Sequence, residues 1–126
     1  MGYSVTIGSA VIPYESCLEQ EEFYNGSNRR VLTFVCDREA IAVENLYALL
    51  SVESNLDRIE CRADETGIIN VYQKYPLMIG IGIEPYAETQ YDEETGTDKT
   101  VYVDKLVFKV GKRTYIEQRL HDLGLD

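Results

Sequence analysis

The chain contains no tryptophan and a single histidine, His121. One histidine rules out His-rich metal sites. It also leaves any histidine-dependent nucleophile to a residue set between Arg119 and Asp122 on a charged terminal segment. The plain role for His121 is a solvated side chain near a helix C-terminus, where a cation is mildly favoured. Basic residues are scarce as well: 12 Lys and Arg stand against 22 Asp and Glu, a formal charge of -10. That balance weighs against a protein that neutralises phosphates on nucleic acid or on an anionic lipid surface. Cys17, Cys36 and Cys61 are widely spaced, with no CxxC, and form neither a disulfide framework nor a zinc site. Reduced, packed thiols are expected. No stretch approaches the roughly 20 apolar residues of a spanning helix. The N-terminal segment up to Val11 has neither the basic region nor the apolar run of a signal peptide. The expected location is cytoplasmic.

Catalytic motifs are missing too. Gly80-Ile81-Gly82-Ile83 opens like a dinucleotide fingerprint, but Pro85 occupies the third glycine position and the run lies within a strand pattern. Gly111-Lys112 lacks the rest of a phosphate loop, with Arg113 in place of Ser or Thr and Leu106 in place of the first glycine. Asp92, Glu93, Glu94 and Asp98 offer oxygen ligands without EF-hand spacing, and as charges at a strand end they oppose edge-to-edge association. No nucleophile elbow, zinc-protease helix or Cys beside a basic partner is present. No cofactor, metal or catalytic residue is therefore assigned.

Ten tyrosines and ordinary hydrophobic content are present, and they favour sheet and contact surface over disorder. At 126 residues the chain is expected to be a single domain over 1–126. Tyr3, Val5 and Ile7 alternate with polar residues as a strand, with a kink at Gly8-Ser9 before Val11 and Ile12. The acidic stretch Glu15 to Glu22 reads as a loop or short helix, and Asn25-Gly26-Ser27-Asn28 as a turn. Arg29 to Cys36 is a strand covered on both faces. Val43, Leu46, Leu49 and Leu50 place an amphipathic helix at about 42–51. Ile59, Cys61 and Ala63 alternate with Arg58, Glu60 and Arg62, and Ile68 to Gln73 is the hairpin partner. Leu77, Ile79, Ile81 and Ile83 share one face of a second hairpin. Gly80 and Gly82 on the other face leave room for a backbone or ring. Tyr91 to Lys99 is the polar tip of that hairpin, and Val101 to Val110 is its return strand. Thr114 and Glu117 form a capping box for a short terminal helix whose Ile116, Leu120 and Leu123 must dock on this domain or another molecule. The predicted class is α+β, mainly antiparallel β, as a sandwich or partly open barrel with one central helix packed on the sheet and a short C-terminal helix. Its predicted core is Val5, Ile7, Leu32, Phe34, Leu46, Leu49, Leu50, Ile59, Ile79, Ile81, Leu106 and Phe108.

The run Phe23-Tyr24-Asn25-Gly26-Ser27-Asn28-Arg29-Arg30-Val31-Leu32-Thr33-Phe34, followed by a helix and two hairpins, resembles the layout of small prophage-encoded proteins of Gram-positive gut bacteria. The resemblance implies a tail-associated or otherwise virion-linked part, some of which are β-sandwiches flanked by a helix. Three functions follow for comparison. In the first, a non-enzymatic structural or assembly module pairs with protein partners or with itself through the long hairpin, using Tyr86, Tyr91 and Tyr102 beside the acidic tip. In the second, an acidic inhibitor or adaptor presents its carboxylates to a basic, nucleic-acid-binding protein. In the third, an enzyme uses a perturbed carboxylate on a small molecule.

Overall fold

The computed structural model describes residues 2–125; Met1 and Asp126, the ends of the predicted single domain, lie outside the described residues. In chain order the elements are β1 (Tyr3–Ile7), β2 (Ala10–Tyr14), β3 (Ser16–Tyr24), β4 (Ser27–Asp37), α1 (Val43–Leu50), a 3-10 turn (Glu53–Leu56), β5 (Arg58–Ala63), β6 (Gly67–Gln73), β7 (Leu77–Asp92), β8 (Thr97–Gly111) and α2 (Tyr115–Asp122). All strand pairs are antiparallel, and they form two four-stranded sheets in the orders β2-β1-β5-β6 and β3-β4-β8-β7.

Alternation sets the first sheet. Val5 and Ile7 point inward from β1, Ile59 and Cys61 from β5, while Arg58, Glu60 and Arg62 form an outward charged row with Glu60 bonded to Arg58 at 2.9 Å. The expected kink at Gly8-Ser9 is a full reversal: Gly8 takes φ 61, and β2 folds back to lay Ile12 opposite Val5.

In the second sheet the acidic segment expected as loop or short helix is strand β3. Its glutamates sit across from the arginines of β4, with Glu21 opposite Arg30 and Glu22 opposite Arg29, and Glu19 bonds Arg30 at 3.3 Å. Glu22 reaches past β4 to Lys109 of β8 at 3.0 Å, so charge pairing across the sheet replaces the apolar alternation that identifies strands by sequence. The turn into β4 is the expected one, with Asn25 at φ 51 and Gly26 at φ 83, the two left-handed residues of a tight hairpin.

The expected face of β7 is corrected by a register shift between Met78 and Gly80. Met78 and Ile81 pack against the core, whereas Ile79 turns towards Gly111, where an added Cβ would stand 2.9 Å from its Cδ1. One extra residue in a strand flips every side chain beyond it. Gly80 and Gly82 face open space instead of a packed backbone or ring.

The inner faces of both sheets meet in one core. Phe34 and Phe108 stack with ring centroids 5.0 Å apart, Tyr14 meets Phe34 edge-on at 5.4 Å, and Leu46 and Leu50 of α1 are buried among them. On β4 the inner residues Leu32, Phe34 and Cys36 are sealed; on its outer face Val31 is buried but Thr33 and Val35 are only half-buried. Leu56 and Tyr75, absent from the predicted core, are fully buried, and the Tyr75 hydroxyl donates to Glu19.

Candidate functional site

Strand β4 stops pairing with β8 at Asp37 and Lys105. Beyond that point β7 and β8 continue alone, from Pro85 opposite Asp104 to Asp92 opposite Thr97, as a two-stranded ribbon about 25 Å long at ~3.3 Å per residue. Its root is pinned by charge. Lys105 donates to Glu15 at 2.8 Å and lies 3.3 Å from Glu88, and Arg38 bonds Asp104 at 3.2 Å.

The register sorts the tyrosines expected to make contacts. Ala87 lies opposite Tyr102 and Tyr91 opposite Asp98, so Tyr91 and Tyr102 share one face, with 65% and 72% of their surface exposed. Tyr86, opposite Val103, is on the other face and 38% exposed. The three therefore do not form one patch. The polar tip is shorter than predicted, because the ladder runs to Asp92 and resumes at Thr97. Asp92 closes the turn: its carboxylate accepts the Glu94 N–H at 2.9 Å, and its carbonyl accepts the Gly96 N–H at 2.8 Å. Glu93, Glu94 and Asp98 remain exposed. Among the described residues no three His, Cys, Asp or Glu side chains gather where a metal ion would be held.

A second region was only half legible. The capping box of α2 forms as expected, with the Glu117 N–H donating to Thr114 Oγ1 at 3.2 Å and the Thr114 N–H to Glu117 Oε1 at 2.8 Å. The same carboxylate receives Arg29 through two bonds of 2.5 and 3.1 Å. Arg29, 3% exposed, also donates to the carbonyls of Tyr24 and Lys112. Its guanidinium, then the Thr114 N–H, hold the Glu117 carboxyl at about 2. On the other side of α2, Arg113 and His121 approach Glu53 at 2.7 and 3.6 Å. His121 is thus beside a carboxylate and not merely solvated.

An open cleft of about 570 Å³ runs beneath α2, floored by Leu50, Leu77, Met78 and Leu120 and bordered by Arg113 and Glu117. No side chain of α2 is buried, Ile116 and Leu123 are 69% and 65% exposed, and of the apolar stripe Leu120 alone lines the cleft. Arg29 carried no sequence signal for this role, because its partner is at the far end of the chain. Among the described residues no helix is long and apolar enough to cross a membrane.

Compared with known proteins, the chain matches no family model, no curated protein and no solved structure.

Proposed function

We propose that this chain is a non-enzymatic assembly module that contacts other protein subunits, further copies of itself among them, through the β7–β8 ribbon. The observation that carries this reading is the ribbon itself. Over eight residue pairs its strands have no third neighbour among the described residues, which leaves backbone donors and acceptors on both outer edges open to strand addition. Tyr91 and Tyr102 add a rigid, amphipathic contact face at low entropic cost. In this reading the two sheets form a β-sandwich with α1 packed against it, a stiff base from which the ribbon projects. The layout resemblance supports a tail-associated role, with the chain made in a bacterial cytoplasm and incorporated into a virion.

Light scattering coupled to size exclusion tests it at low and high salt, comparing the full chain with a variant in which residues 86–103 are replaced by Asn-Gly. The full chain is expected to associate as concentration rises and to do so at both salts, while the shortened chain stays monomeric and folded. A full chain that stays monomeric at the highest concentration, or a shortened chain that associates equally, overturns the proposal.

A further inference from the structure

Two thiols distant in sequence face one cleft between the sheets. Cys17 points inward from edge strand β3, where it lies opposite Phe34, and Cys61 points inward from β5, where it lies opposite Val5. Both line one open cleft of about 390 Å³, together with Tyr14 and Tyr72. Cys36, in contrast, is sealed in the core at 0% exposure, and burial pushes its thiol up to about 12. The pair is also electrically unequal. The neighbouring Cys61 thiol, then burial, keeps Cys17 protonated well above the usual thiol range, whereas the Cys17 thiol and the Tyr14 hydroxyl beside it draw Cys61 down.

We propose that Cys17 and Cys61 are an oxidation site, converted by hydrogen peroxide or a similar small two-electron oxidant entering this cleft into a reversible disulfide between the two sheets. The Cys61 thiolate attacks one peroxide oxygen, the O–O bond breaks and hydroxide leaves, giving a sulfenic acid. Cys17 then attacks the Cys61 sulfur, the S–O bond breaks, and its proton and the leaving hydroxide appear as water. In sum two thiols are oxidised to one disulfide and one peroxide is reduced to two waters. A disulfide requires about 4.4–6.8 Å between Cα atoms, so the bond fixes how closely β3 and β5 lie across the cleft. β3 can move because it pairs with β4 alone.

The test uses the full chain, freed of reductant, exposed to a slight molar excess of hydrogen peroxide, then unfolded and alkylated with iodoacetamide for intact-mass and peptide mapping. Alkylatable thiols are expected to fall from the three free cysteines to one, Cys36, with the Cys17 and Cys61 peptides joined and both thiols recovered on reduction. Cys36→Ser is expected to retain the link and Cys61→Ser to lose it. Three alkylatable thiols after treatment, a link through Cys36, a link between chains, or sulfinic acid without a link would each overturn the proposal.

Discussion

The two halves of the β7–β8 hairpin share one ladder and live in different surroundings. Near its base, Ile81 and Phe108 lie opposite each other in a four-stranded sheet against the core. In the distal half, Ala87 and Tyr102 lie opposite each other with no third strand and no facing sheet. Hydrogen bonding is the same in kind in both halves, so the contrast isolates burial. Burying an aromatic side chain contributes about 1.5–3 kcal/mol, while an isolated two-stranded ribbon is marginal in water. The base therefore holds the domain, and the distal half is available to something else. Helix α2 repeats the contrast, with an ion pair to Arg29 in place of buried side chains.

The largest expected effect tests the base. Phe108→Ala removes a ring stacked on Phe34 at 5.0 Å and is expected to cost about 3–5 kcal/mol by urea titration. A loss under ~1 kcal/mol would mean that the base is held no more firmly than the ribbon. A smaller effect follows from acid at α2. Glu117 is held at about 2, below its unfolded value, so its contribution is present above about pH 4.5 and fades as pH falls towards 2. Because this side chain is about one-third exposed, screening limits the effect to about 1 kcal/mol. The protection of the α2 amides, measured against their intrinsic exchange rates at each pH, should fall over that range while β4 and β8 stay protected, and Glu117→Gln should abolish the dependence. Smallest in stability is Tyr102→Ala, expected within about 0.5 kcal/mol of the parent yet weakening self-association measurably by light scattering. A stability loss like that of Phe108→Ala would erase the distinction between the halves.

What was legible in the sequence was whatever local period or local turn chemistry dictates. Val5 and Ile7, the Asn25-Gly26 turn, the helix with Leu46 and Leu50, the two-faced strand at Ile59 to Ala63 and the Thr114–Glu117 box all depend on neighbours a few residues away. β3 was illegible because it is set by pairing with β4, and its glutamates find cationic partners on β4 and β8. The shift at Ile79 was illegible because it is set by pairing with β8, and it took Ile79 out of the expected core. For the candidate site, the length and exposure of the hairpin could be read, but not the separation of Tyr86 from Tyr91 and Tyr102, which needs the register. Arg29 with Glu117, and Cys17 with Cys61, are products of tertiary proximity alone.

Arg29 has a consequence for the order in which the molecule assembles. Its charge is compensated only when the β3–β4 turn, the segment after β8 and α2 are all in place, because each supplies one acceptor. Burying a guanidinium before those acceptors arrive is costly, and an eight-residue helix has little persistence alone. The C-terminal helix is therefore expected to order together with the acceptors around Arg29, and its opening is coupled to that buried charge.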